Sequence, residues 1–248
     1  LRGLSTSDTM VLEESSLDPD AWQQALDERG EEADLHRLVD HVQTDYHPHA
    51  VIIDCTASGA IAARYADWLE RGIHVVTPNK KANTSSLEYY QRLKNAVRSK
   101  RRHYLYETTV GAGLPVIQTL RDLLETGDEI IEVEGILSGT LSDLFNSFDG
   151  ERPFSDILAE AKAKGFTEPD PREDLSGMDV ARKMVILARE MGMDLELDDV
   201  DVEGLVPEEL EDGSIEQFME ELPKFDDEMT GLLDEAEHLA DRVAIIDS

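Results

Sequence analysis

The sequence predicts an α/β chain. A doubly wound, Rossmann-like parallel sheet occupies residues 1–127 and is incomplete at its N-terminus, and an α+β region follows over residues 128–248. Three observations predict this. Between residues 49 and 110, short β-branched runs alternate with amphipathic stretches, the pattern of parallel strands joined by helical crossovers. The first candidate strand and turn, "LRGLSTSDTMVL" (1–12), has no G-x-G-x-x-G on either side, although a doubly wound nucleotide sheet normally carries that loop after its first strand. Beyond Gly127 the pattern gives way to one alternating run and several acid-rich helical segments.

The elements follow in order. "HAVIIDCT" (49–56) and "IHVVTPNK" (73–80) read as buried parallel strands, the second stopped by Pro78. Between them "SGAIAARYADWLERG" reads as one helix, capped by Ser58 and ended by Gly72. "SSLEYYQRLKNAVRSK" is an amphipathic helix with basic residues at its C-terminal end, where the helix dipole favours them. "RHYLYETTV" is a third strand. "VGAGLPVIQTLRDLLETGD" predicts a helix with Pro115 in its first turn and Gly127 at its close. "EIIEVEGIL" (129–137) predicts a strand of another sheet. "SGTLSDLFNSF" is a short helix, and "FSDILAEAKAKG" is a helix with Ser155 as cap and Gly165 as stop. The acidic C-terminal stretch predicts a helix and a terminal strand.

Composition narrows the function. Fifty-five acids face 23 bases, a formal charge of −32. Such a surface repels nucleic-acid phosphates and anionic lipid, so neither is an expected partner. Adaptation to high salt, where counterions screen self-repulsion, is the favoured reading of the acidity. No apolar run approaches the roughly 20 residues that cross a bilayer. With Cys55 as its one cysteine the chain cannot form an internal disulfide, which fits a reducing, cytoplasmic setting. His47 and His49 in "DYHPHA" lack the spacing of a zinc site and read as a polar loop before a strand.

Three stretches carry candidate chemistry. Asp179 and Lys183 stand four apart and share a helix face; by themselves they read as a helix-stabilising pair, with Ser176 and Asp179 as a capping-box variant. Upstream, Glu168, Asp170, Glu173 and Asp174 crowd a loop stiffened by Pro169 and Pro171. That crowding calls for a cation or an ammonium-bearing ligand, beside which a lysine can serve as an acid/base group. Thr56 and Lys80 end two parallel strands, where open α/β sheets bind ligands. "ETTVGAG" (107–113) reads either as a tight turn or as oxygen ligands for a hard cation around Glu107.

Together "TPNKKANTSS", "TVGAGLPVI", "GILSGTLS" and "GFTEPDPREDLSGMDVARK" resemble homoserine dehydrogenase, in the family's order, over residues 50 to 200. The "PNKKANTSS" form is most similar to the dehydrogenase half of bifunctional aspartokinase–homoserine dehydrogenases. The resemblance implies a nucleotide-binding domain over 1–127 and a substrate-binding and dimerisation domain over 128–248. It implies reversible reduction of aspartate semialdehyde to homoserine by NAD(P)H, in threonine and methionine biosynthesis. By the same resemblance Lys183 is the acid/base lysine, Asp179 binds and orients substrate, and Glu168 contacts its amino group. Lys80 lies where nicotinamide and substrate meet, Thr56 contacts the cofactor, and Gly165 lies beside the reacting centre. Glu107 and the carbonyls of Val110, Ala112 and Leu114 match a structural monovalent-cation site, such as one for Na+. A homodimer or higher homo-oligomer and a fused aspartokinase are the implied partners. The run Ser5–Ser7, with Asp8 following late, favours NADP over NAD. Two other readings stand beside this one: another NAD(P) amino-acid oxidoreductase, and a catalytically silent interaction fragment of a larger acidic protein.

Overall fold

The computed structural model describes residues 1–44 and 49–233. His47 and the expected terminal strand lie outside the described residues. The chain divides into two compact units, Leu1–Gly113 and Leu114–Ser248. The helix expected at the end of the first region therefore counts with the second unit.

The first unit contains two small sheets. An antiparallel one has the order β1 (Gly3–Ser5), β2 (Thr9–Leu12), β3 (Glu31–Glu32), with Leu4 opposite Val11. The turn Ser5–Thr9 is closed by Thr6, whose hydroxyl oxygen accepts the backbone N–H of Asp8 and Thr9. Helices α1 (Trp22–Arg29) and α2 (Leu35–Val42) pack on this sheet. Asp34 caps α2 by accepting from the N–H groups of His36 and Arg37, two donors that the first turn leaves without partners.

The second sheet is parallel, in the order β4 (Ala50–Ile53), β5 (Ile73–Val76), β6 (Tyr104–Leu105), with Ala50 opposite Ile73. The run expected to be one helix after β4 is two short ones, α3 (Gly59–Ala62) and α4 (Tyr65–Glu70). Between them Arg64 N–H bonds the carbonyl of Ile61, a tighter i→i+3 closure that ends the first helix. Helix α5 (Leu87–Lys100) makes the crossover from β5 to β6 and packs on α4. Tyr65, Leu69, Ile73 and Leu93 are wholly buried in this layer. Strand β6 is shorter than "RHYLYETTV" suggests, because Glu107–Thr109 curls into a 3-10 turn. Val51, Ile53 and Leu105 stay exposed, so the helices of this unit do not cover the whole sheet.

Among the described residues the second unit is helical: α6 (Val116–Thr126), α7 (Gly139–Ser147), α8 (Phe154–Ala163), α9 (Pro171–Leu175), α10 (Met178–Glu190) and α11 (Ile215–Glu221). Its core joins Leu144, Phe154, Leu158, Leu175 and Phe218. Two expectations fail here. "EIIEVEGIL" forms no strand: Ile131 is 95% and Ile136 82% exposed. Alternating residues make a strand only where a neighbour completes the ladder, and no strand of this unit among the described residues does so. Ser155 does not cap α8, whose N-cap is Pro153. Instead Ser155 lies one position inside the helix and is buried, and its N–H and hydroxyl donate to the two oxygens of Asp226 at 2.8 and 2.7 Å. The cap is supplied from 71 residues away, and local pattern could not reveal it.

Candidate active site

The second unit builds its site at the junction of α9 and α10. Helix α9 ends at Ser176, and Gly177 turns the chain with φ +72°. A side chain there would be strained in φ, and its Cβ would come within 2.9 Å of the Val202 methyl. Gly177, not Ser176, is the N-cap of α10, and no side-chain cap bond forms, so the expected capping box is absent. The Ser176 hydroxyl donates back to the Glu173 carbonyl and accepts from Met178 N–H. Asp179 is thereby left in the first turn of α10, where the dipole favours an acid.

One turn on, the Lys183 ammonium meets Asp179 Oδ2 at 2.7 Å and donates to the Leu137 carbonyl at 2.5 Å. The lysine side chain is 15% exposed and the carboxylate 48%. Exposed i,i+4 pairs contribute little and leave the lysine mobile. Here the ammonium is held in a fixed direction, and a backbone carbonyl 46 residues away takes one of its donors. Two of three N–H donors are satisfied, so one remains to meet an oxygen that gains negative charge.

Glu168 is exposed on the neighbouring loop. Its backbone N–H donates to Asp174 Oδ2 at 2.8 Å, and Lys162 Nζ donates to the Pro169 carbonyl at 3.2 Å. Asp170 caps α9 and pairs with Arg172, which holds its carboxyl below the usual range. The acids are thus less uncompensated than their crowding implies. Two of them, Asp170 and Asp174, have partners within the chain, and Glu168 and Glu173 are exposed. Gly165 follows α8 with φ +74°; its N–H bonds the Lys162 carbonyl, the cap geometry glycine allows. A Cβ at Gly165 would meet nothing within 4 Å, so open space faces it.

In the first unit, Thr56 and Lys80 follow the C-terminal ends of the paired strands β4 and β5, as their positions in the sequence suggest. Both turns hang on buried Asp54. Its carboxylate accepts from Thr56 N–H at 2.8 Å, from Asn79 Nδ2 at 3.2 Å and from the Tyr65 hydroxyl. Asn79 also donates to the Ser58 carbonyl, and Thr77 bonds both the Tyr65 hydroxyl and Asn79 N–H. Burial, then the hydrogen bond to Asp54, pushes the Tyr65 phenol far up. Thr56 is exposed and its hydroxyl oxygen accepts from Ser58 N–H, which leaves its O–H for an external acceptor. Lys80 is half-buried. A hydroxyl and a cation outside the carboxyl ends of parallel strands suit a dinucleotide. Of this network the sequence reading found only Thr56 and Lys80. Polar residues clustered at two strand ends were the available signal for Asp54 and Asn79; Tyr65 gave none.

Glu107 is half-buried and opens the 3-10 turn, and Val110 is wholly buried. Gly111 and Ala112 follow with φ +77° and +51°. A left-handed alanine costs about 1 kcal/mol or more, so this turn is built against local preference. Leu114 belongs to the second unit. Among the described residues no group of three or more His, Cys, Asp or Glu side chains is placed to hold a metal ion, and no helix is long and apolar enough to cross a membrane.

Comparison with known proteins gives a consistent result. Residues 115–243 match the family model of homoserine dehydrogenase, and residues 6–107 match that of the homoserine dehydrogenase NAD-binding domain. A chloroplastic bifunctional aspartokinase/homoserine dehydrogenase of Arabidopsis thaliana is 53% identical over 95% of this chain and 26% of its own length. The chain spans about a quarter of the length of the curated relatives it matches. Among solved structures, a Candida auris protein of unknown function aligns with TM-score 0.84 and 35% identity over 93% of this chain and 66% of its own. A putative homoserine dehydrogenase of Archaeoglobus fulgidus aligns with TM-score 0.68 and 27% identity over 83% of this chain and 62% of its own.

Proposed function

The chain belongs to the homoserine dehydrogenase family, and on that premise we propose that it forms the dehydrogenase part of an enzyme interconverting homoserine and aspartate semialdehyde. The observation that carries the reading is the Lys183 ammonium, withdrawn from water and clasped by Asp179 and the Leu137 carbonyl.

In the reductive direction Lys183 donates a proton to the aldehyde oxygen as that oxygen gains charge; in the oxidative direction its amine takes the hydroxyl proton. Asp179 aims the lysine and orients the substrate, and Glu168 receives the substrate ammonium. The nicotinamide, when bound, supplies or accepts the hydride. Thr56 and Lys80 hold that cofactor, with Lys80 also facing substrate and Gly165 leaving room beside the reacting carbon. NADP is preferred to NAD. Glu107 with the carbonyls of Val110, Ala112 and Leu114 takes a monovalent cation in a structural role. Residues 1–127 act as the nucleotide-binding part and 128–248 as the substrate-binding and dimerising part. The full protein is a homo-oligomer with an aspartokinase fused to it, working in a reducing compartment such as the cytoplasm.

The test is oxidation of homoserine by the purified full-length protein, followed as NADPH formation. Homoserine-dependent turnover supports the reading. A folded protein that turns over another amino acid alone, or none, rejects it.

A further inference from the structure

The loop before α9 must present Glu168 at a fixed place, yet only seven residues, 164–170, join α8 to the next helix. Arg172 supplies what the loop lacks. Its Nε donates to both Asp170 oxygens at 3.0 and 3.1 Å, and its Nη2 meets Oδ2 at 2.7 Å. Its other donors cross to a distant segment: Nη1 to the Glu211 carbonyl at 3.0 Å and the Leu210 carbonyl at 3.5 Å, Nη2 to the Gly213 carbonyl at 3.2 Å. The guanidinium lies 5.6 Å from the centre of the Phe218 ring. All three nitrogens are engaged and the side chain is 15% exposed. This is no surface ion pair of negligible value. It is a planar fork joined to two chain segments, a geometry that lysine cannot reproduce.

We propose that Arg172 is a positioning residue for substrate binding: it staples the Glu168 loop to the segment 210–213, itself anchored by buried Leu210 and Phe218. The staple acts on Glu168 through a short path. Asp170 caps α9, α9 carries Asp174, and Asp174 Oδ2 accepts the Glu168 N–H. Loss of the fork frees Asp170 and three carbonyls at once, and α9 loses the brace that orients Asp174. The inference rests on the reading of Glu168 as the receptor of the substrate ammonium.

The experiment compares Arg172→Lys, Arg172→Gln and Glu168→Gln in the full-length protein. Backbone hydrogen exchange should quicken in residues 166–175 and 208–214 of both Arg172 variants and stay unchanged in α10. The KM for homoserine should rise roughly 10- to 100-fold, the scale of an ångström-sized misplacement. The KM for NADP should hold, kcat should change far less, and lysine should fail to rescue. Unchanged exchange overturns the staple. So does an unchanged homoserine KM in the Arg172 variants when Glu168→Gln raises it. A parallel fall of kcat and both affinities marks a merely structural role and also overturns it. A silent Glu168→Gln instead rejects the Glu168 reading, while exchange still decides whether Arg172 holds the loop.

Discussion

The two units hold their polar residues by opposite means. At the ends of β4 and β5, Asp54, Tyr65, Thr77 and Asn79 are buried and bond one another, and Thr56 and Lys80 ride on the result. At the start of α10 the charges are only partly covered, and they are fixed by backbone carbonyls, a glycine turn and a two-segment guanidinium. A buried network gains rigidity from full satisfaction and loses heavily when one member goes. A partly exposed charged site keeps its groups available to a ligand and carries little of the stability. Substitutions should therefore separate the two: damage to the first unit should appear in stability, and damage to the second in rate.

The largest effect should follow Lys183→Ala. Turnover should fall by about 10²- to 10⁴-fold, the range for loss of an acid/base group, with circular dichroism and Tm close to the parent. A rate near the parent's removes Lys183 from the chemistry and erases the contrast. Next comes Asp54→Ala, which leaves the Tyr65 hydroxyl, Asn79 amide and Thr56 N–H without their acceptor. Urea unfolding should show a loss of about 3 kcal/mol, against under about 0.5 kcal/mol for surface Glu168→Gln. Equal losses would mean that the buried network is not what holds the strand ends.

Acid should reach the two units in order. His74 is buried, its Nδ1 accepts His103 N–H at 2.9 Å, and its ring packs between His49 and His103. Burial, then the charges of Arg102, His103 and His49, lower its pKa from 6.5. The unfolded chain therefore binds the proton first. The stability His74 contributes is present above about pH 6.5 and declines as pH falls below it towards the folded value. Asp170 has the same sign in a lower window: its pKa is lowered by Arg172, and its contribution persists until pH falls below about 4. Tm measured from pH 8 to 4 should decline first for the first unit, and His74→Gln should flatten that early decline. A curve flat to pH 5 would count against the histidine cluster as the acid-sensitive element.

The smallest effect concerns the surface shared by both units. With a formal charge of −32, self-repulsion should relax as the Debye length shrinks from about 10 Å to about 3 Å between 0.1 and 1 M salt. Tm should rise by a few degrees between low and molar KCl. A flat or falling curve rejects adaptation to salt.

Much of this was legible along the chain, for identifiable reasons. Alternation and glycine stops located β4, β5, α5 and α6, because period and φ are local properties. The spacing of Asp179 and Lys183 announced their ion pair, since four residues make one turn. The run Glu129–Leu137 shows the limit: its alternation is real, but a strand is a relation between two segments, and Ile131 and Ile136 stand exposed without one. Ser155 shows it again, read as a local cap and found bonded to Asp226.

By itself the sequence determined the acidic charge, the parallel strands and their crossovers, the rigid loop of acids, and the helix face shared by Asp179 and Lys183. Tertiary structure alone decided that Lys183 meets the Leu137 carbonyl, that Asp54 ties together two strand ends, and that Arg172 reaches residues 211 and 213. The physical reason is range. Propensity, periodicity and capping act within a turn or two of the chain, whereas these bonds join groups 25 to 46 residues apart, and only the folded core sets their distance and direction.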